Sequence, residues 1–184
     1  KDFYLNKEAV ANLTENYRLH HEKRAAEILY EEMPGVTVSI SHQVYPEPKE
    51  YERTSTTVID AYVKSVAEGY LGRLAEGLKE RGYRDRLFIM LSNGGTATVE
   101  TAKSVPVQMV ESGPAAGVEA ACYFGRLMGL DHLLSFDMGG TTAKLCIIEN
   151  GRAARTRTFE VDRVDRFKAG SGLPAAVPVY DLLE

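Results

Sequence analysis

The chain has 184 residues, enough for one good core or for two incomplete ones. Its 44% hydrophobic and 26% charged content is that of a globular chain, and a net charge of -4 leaves no electrostatic footprint for nucleic acid or anionic lipid. No apolar run approaches the length of a bilayer span, so neither nucleic acid nor membrane is an expected partner. The first residue is Lys1 rather than Met, and the chain is expected to be a piece of a longer protein or a processed one. Cys122 and Cys146 lie in apolar surroundings without the spacing of a disulfide framework or a zinc site, which fits buried thiols in a cytoplasmic protein.

In chain order, Tyr17 to Met33 is rich in helix formers and stops at Pro34-Gly35, which predicts a helix. Val36, Val38, Ile40 and His42 then alternate along a β-branched run, the period of a strand. After a loop carrying two prolines, Val58, Tyr62, Val66, Tyr70, Leu74 and Leu78 recur every fourth residue, with Val63, Ala67 and Leu71 beside them. That spacing predicts one long amphipathic helix over Thr56–Leu78, with the hydroxyls of "RTSTT" at 53–57 supplying its N-cap. The charged residues of "KEYER" and "EVDRVDRF" are expected on solvated faces or at a subunit interface. His20 and His21 are expected at the surface. His42, at the end of its run, is expected to be structural, with a place at the cleft as the alternative, and His132 has no obvious partner for chemistry.

A compact strand, "LFIML", ends in Ser92, Asn93, Gly94 and Gly95. Open α/β sheets put ligands at such strand ends, and glycines admit a phosphate close to the backbone. Asn-Gly-Gly is equally the chemistry of an ordinary turn. In "VESGPAAGVEAACYFGRLMGL" Ser112 is a candidate cap, Pro114 suits a first helical turn, and Ala115, Ala116, Gly117, Ala120 and Ala121 leave a helix with little side-chain bulk. Such a helix can pack tightly on a sheet or form a pliable contact between moving lobes, and its first amides, at Ser112 and Gly113, can meet an anion.

The stretch "LLSFDMGGTTAKLCIIENG" at 133–151 predicts a strand ending near Asp137, a turn at Gly139-Gly140, and a returning strand from Thr141-Thr142 to Ile148. Asn150-Gly151 closes a second hairpin toward another alternating strand. A hairpin needs no carboxylate at its tip. Two glycines expose backbone amides to phosphate oxygens, two threonines add hydroxyls, and a nearby carboxylate can hold magnesium through water or orient an attacking water. A tight hairpin with a capping Asp is the plainer alternative.

The order of small-residue helix and Asp-Gly-Gly-Thr hairpin resembles the actin-like ATPase superfamily. Five blocks, "SHQVYPEPKEYERTSTTVIDAYV", "MLSNGGTAT", "VESGPAAGVEAA", "SFDMGGTTAK" and "RFKAGSGLPAAVPVYDLLE", together resemble the hydantoinase A and 5-oxoprolinase family from about residue 17 to the end. The resemblance implies an α/β, ribonuclease-H-like fold. Residues 1–112 would finish a first lobe, 113–130 would form the inter-lobe helix, and 131–184 would begin a second lobe. It implies ATP and Mg2+ as cofactors, a small cyclic amide such as 5-oxoproline or a hydantoin as substrate, and a hydantoinase B-like subunit or domain as partner. Asp137 would organise magnesium or the reacting water, Gly139, Gly140, Thr141 and Thr142 would hold phosphate with Ser112 and Gly113 nearby, and Ser92, Asn93, Gly94 and Gly95 would line the cleft from the other lobe. Related ketone carboxylases, small-molecule kinases and non-catalytic nucleotide-binding modules are the alternatives. An earlier phosphate hairpin and a later adenosine segment are missing, so these residues alone are expected to bind ATP weakly and not to turn over.

Overall fold

The computed structural model describes residues 7–161, 163–165, 168 and 170–183, with side chains described from residue 19 onward. Residues 162, 166 and 167 of the charged run expected to be solvated lie outside them. The fold is α/β. Helix α1 (Lys7–Glu32) stops at the predicted break, where Gly35 takes φ +92°. Residues 36–40 form no strand, which corrects the expectation from their alternation. A strand needs a partner to take its backbone donors and acceptors, and among the described residues no strand pairs with this segment; helix residues meet it, Lys64 Nζ donating to Val38 O at 3.1 Å. The segment runs instead into a single helical turn, α2 (Ser41–Val44), which carries His42.

A polar clamp holds α1 and α2 to the next helix, α3 (Glu50–Glu80). Glu22 Oε1 accepts from Arg53 Nη2 at 2.8 Å and from Ser41 Oγ at 2.9 Å, while Oε2 accepts from His42 N at 3.0 Å and faces His42 Nδ1 at 3.0 Å. Arg53 Nε donates to Ser41 Oγ at 2.6 Å. Arg53 is therefore a largely covered partner rather than a solvated charge. Burial opposes the charge on Glu22, but the bonds from His42 N, Ser41 and His42 and the Arg53 guanidinium outweigh it and pull the carboxyl below the usual carboxylate range. A depressed folded-state pKa means the clamp contributes fully above the ordinary value of 4.5 and is lost as pH falls through the lower folded value. Acid titration of stability is expected to show a loss in that window, and Glu22→Gln to abolish that component.

Helix α3 begins at Glu50, inside the expected loop, so the "RTSTT" hydroxyls lie within the helix and do not cap it. Thr56 Oγ1 donates back to Glu52 O at 2.6 Å and accepts Ala176 N at 2.8 Å, far along the chain. The predicted apolar stripe is also corrected. Val58, Tyr62, Val66 and Tyr70 are exposed, and the inward face is built from Ser55, Thr56, Ile59, Asp60 and Leu71. Part of that face is polar because it meets backbone: Asp60, fully buried, accepts Ser39 Oγ at 2.6 Å and Val107 N at 3.0 Å. Burial raises the Asp60 carboxyl above its ordinary range, against the lowering by Ser39, the Val107 amide and Lys64.

Strands β1 (Phe88–Met90) and β2 (Thr96–Thr98) form an antiparallel hairpin, closed by Leu91 N donating to Gly95 O at 2.8 Å. The 92–95 stretch is thus a hairpin turn and not the end of a parallel strand. Helix α4 (Val99–Ser104), capped by Thr98, and a 3-10 turn (Pro106–Met109) lead into helix α5 (Ser112–Met128). Ser112 is the first helical residue rather than the cap, a position held by Glu111 without a side-chain bond. Gly129 ends α5 in the left-handed conformation, φ +68°, the usual glycine C-terminus.

Strands β3 (Leu133–Met138) and β4 (Ala143–Glu149) pair antiparallel over their length, with Asp137 opposite Lys144. Thr141 and Thr142 fall in the turn, two residues outside the returning strand. Asn150 (φ 53°) and Gly151 (φ 68°) make the second turn to β5 (Arg152–Ala153), as predicted from the Asn-Gly pair. The expected strand beyond is broken into β6 (Arg155–Thr156) and β7 (Phe159–Val161), which pair with β9 (Val179–Tyr180) and β8 (Leu173–Ala175).

Two apolar clusters form the core. One joins Val44, Ile59 and Val107 to Ala175, Val177 and Val179; the other joins Ala115, Val118 and Cys122 of α5 to Cys146, Ile148 and Tyr180. The last strand segment therefore contributes to both, tying α3 to the hairpin. Burying one such Val or Ile stabilises by about 1.5–3 kcal/mol. The thiols of Cys122 and Cys146 are free and buried, as the sequence suggested. In α5, Ala115 and Gly125 permit close packing, and a methyl group at Gly125 would meet Leu133 Cδ1. Gly117 and Ala120 instead face outward.

Candidate functional site

The β3–β4 hairpin carries the candidate site residues Asp137, Gly139, Gly140, Thr141 and Thr142. Pleating places Leu133, Ser135 and Asp137 on the face shared with Cys146 and Ile148, toward α5, and leaves Leu134, Phe136, Met138 and Ile147 exposed on the other. Asp137 is exposed near the tip. Gly139 N donates to Thr142 O at 3.0 Å and closes the turn, whereas the amides of Gly140 and Thr141 have no internal partner among the described residues. Thr141 and Thr142 are exposed. A side chain at Gly139 or Gly140 would meet nothing within 4 Å, and neither residue has positive φ. Packing and positive φ therefore demand neither glycine here.

Gly94 is the opposite case. It has φ +81°, and a methyl group there would lie 2.5 Å from both Glu119 Oε1 and Tyr180 Oη. Tyr180 Oη donates to Glu119 and accepts Arg155 Nη2 at 3.0 Å, with the guanidinium 5.0 Å over the tyrosine ring. Asn93 Oδ1 accepts Gly95 N at 2.8 Å, and Gly94 N donates to Leu91 O at 3.0 Å. Ser92 is 1% exposed, its amide donating to Gln108 O at 2.7 Å and its hydroxyl accepting Glu111 N at 2.9 Å. The amides of Ser92, Gly94 and Gly95 and the side chains of Ser92 and Asn93 are thus engaged within the fold, as a hairpin turn requires.

A cleft of about 560 Å³ opens beside the hairpin, lined among others by Glu111, Thr141, Thr142, Lys144, Arg163 and Asp181. Lys144 Nζ is 2.6 Å from Glu111 Oε2, and both side chains are mostly covered. Sequence reasoning assigned neither residue a role. The available signal was Lys144 itself, the only charge in the otherwise apolar run from Ala143 to Ile148. Ser112 and Gly113 open α5 immediately after Glu111. His20, His21 and His132 are exposed.

Among the described residues no group of three or more His, Cys, Asp or Glu could hold a metal ion, and no helix is long and apolar enough to cross a membrane.

These features define an α/β protein whose candidate site is a Gly-Gly-Thr-Thr turn beside a small-residue helix. Residues 53–183 match the family model described as Hydantoinase/oxoprolinase. The chain belongs to that family. It is 41% identical to an uncharacterized protein of Methanocaldococcus jannaschii, over 89% of this chain and 25% of that protein. It is 34% identical to the caprolactamase subunit alpha of Pseudomonas jessenii, over 89% of this chain and 25% of the relative. A nucleotide-free structure of acetone carboxylase, from work on ATP-dependent acetone carboxylation, superposes with a TM-score of 0.72 at 26% identity, covering 89% of this chain and 22% of that one. The chain spans about a quarter of the length of each of these two relatives.

Proposed function

We propose that the full-length protein is an ATP-dependent hydrolase of small cyclic amides, built on a ribonuclease-H-like, actin-like fold and working with a hydantoinase B-like subunit or domain in the cytoplasm. In this reading residues 1–112 complete one lobe, 113–130 form the inter-lobe helix and 131–184 open the second. The observation that carries it is the hairpin tip, where two sterically unneeded glycines and two exposed threonines surround open amides beside an exposed carboxylate. Such a turn offers amide and hydroxyl donors to phosphate oxygens.

Gly140, Thr141 and Thr142 would hold the phosphate chain, with the first residues of α5, Ser112 and Gly113, adding amides. Magnesium prefers one or two carboxylates, water and phosphate oxygens to a protein cage, and a single Asp137 fits that habit. ATP, when bound, supplies the phosphoryl group that turns an inert lactam oxygen into a leaving group. Asp137 would orient the attacking water. Ser92, Asn93, Gly94 and Gly95 would shape the site from behind, through the turn they build.

The structural likeness to acetone carboxylase favours a second reading, ATP-dependent carboxylation of a ketone. ATP hydrolysis by the full-length protein with its partner subunit, measured with 5-oxoproline, hydantoin, caprolactam, and acetone plus bicarbonate in turn, separates them. Stimulation by a cyclic amide with ring-opened product supports the hydrolase; stimulation only by ketone plus bicarbonate overturns it in favour of the carboxylase.

A further inference from the structure

We propose that Lys144 is a phosphate-directed cation of the hairpin site and that Glu111 and Ser92 are the positioning residues that aim it. The proposal rests on the reading of the 139–142 turn as a phosphate site. It begins from how firmly this lysine is held. A lysine on a strand next to solvent ordinarily keeps its four-carbon stem mobile and its ammonium hydrated. Lys144 is instead 15% exposed, with its ammonium 2.6 Å from Glu111 Oε2.

Glu111 is itself anchored from the main chain. Its amide donates to Ser92 Oγ at 2.9 Å and its carbonyl accepts Ala115 N at 3.1 Å, so its carboxylate projects from a backbone fixed at the start of α5. Ser92 is buried and pinned through its own amide to Gln108 O at 2.7 Å. A continuous relay therefore runs from the 3-10 turn through Ser92 and Glu111 to Lys144. This gives the buried serine of the Ser-Asn-Gly-Gly block a function at a distance from the ligand.

Register decides where the cation arrives. Lys144 stands directly across the ladder from Asp137, and alternation puts the two on one face, about 4.5–5.5 Å apart at their Cβ atoms. Thr142, two residues earlier, and Lys144 line the same cleft. Without Lys144, an incoming phosphate chain would meet two carboxylates, Asp137 and Glu111, at the foot of the turn. The ammonium supplies the opposite charge there, and the 2.6 Å contact with Glu111 holds it beside the hairpin.

The role of Glu111 can be tested by sign. Acting only as a negative charge, it repels phosphate, and Glu111→Gln tightens ATP binding. Acting as the group that aims Lys144, it helps phosphate, and the same change weakens binding. The experiment is calorimetric titration of the full-length protein with ATP and magnesium, with a melting curve for every variant. Lys144→Met is expected to weaken ATP binding ~10- to 100-fold, the range for a lost hydrogen bond to a charged group, with Lys144→Arg recovering part of it. Glu111→Gln is expected to weaken binding by about tenfold or less and to have no further effect in the Lys144→Met background, the signature of a coupled pair. Unchanged ATP affinity in a folded Lys144→Met protein, or tighter binding by Glu111→Gln, overturns the proposal. Gly140→Val separates this failure from that of the hairpin reading. If Gly140→Val destroys ATP binding while Lys144→Met leaves it intact, only the lysine assignment falls; if Gly140→Val binds ATP as wild type does, the hairpin reading falls and the lysine proposal with it.

Discussion

Asp137→Asn in the full-length protein is expected to keep the fold and lower substrate-dependent ATP hydrolysis by about 100-fold or more, roughly 3 kcal/mol of transition-state stabilisation. The substitution retains the shape of the side chain and removes its charge. Asp137 is exposed near the hairpin tip, and the β3–β4 ladder is held by backbone pairing and by Cys146 and Ile148 against α5, so stability has little to lose. Exposed positions of that kind change stability by about 0.5 kcal/mol or less. A capping role for the carboxylate makes the reverse prediction, a lower melting temperature with turnover per folded molecule unchanged. Paired denaturation and ATPase assays decide between them, and full turnover by a well-folded Asp137→Asn protein removes the residue from the mechanism.

Gly94→Ala is expected to destabilise the protein by roughly 2–5 kcal/mol, from two costs of different origin. A non-glycine residue held in the left-handed region costs about 1–2 kcal/mol, and Gly94 lies at φ +81°. Its new methyl group would also be forced to within 2.5 Å of Glu119 Oε1 and Tyr180 Oη, which hold each other and Arg155 in place. Overpacking of that kind adds about 1–3 kcal/mol. The sum is a large share of the roughly 5–15 kcal/mol that keeps a domain folded. Gly140→Ala is the informative contrast, since its methyl group enters open space. Urea denaturation should show Gly94→Ala weakened and Gly140→Ala unchanged, while ATP titration should show the loss at Gly140. Equal stability of wild type and Gly94→Ala would show that the turn does not press against Glu119 and Tyr180.

Local chemistry was legible wherever a few adjacent residues decide the outcome. Asn150-Gly151 specified its turn because both positions need positive φ, and the apolar runs on either side of Asp137-Met138-Gly139-Gly140 specified the hairpin. The alanines after Pro114 specified α5 for the same reason of local preference. The inward face of α3 was not legible. Its four-residue stripe of Val58, Tyr62, Val66 and Tyr70 reads as a core face, yet the helix turns Thr56 and Asp60 inward. Those two residues are buried because distant main-chain amides, at Ala176 and Val107, need acceptors. Nothing within the helix records that need.

The same division runs through the site. By itself the sequence determined the family, the α/β class, the hairpin and the residues at its tip, all from contiguous motifs. Only the tertiary structure decided that Gly94 is required by packing while Gly139 and Gly140 are not, because a glycine's reason lies in the atoms that would meet its missing side chain. Only the tertiary structure brought Glu111 to Lys144, across 33 positions of chain, and made Ser92 the support of that pair. Periodicity and turn chemistry act over a few residues, whereas a buried polar group takes whichever partner the folded chain delivers.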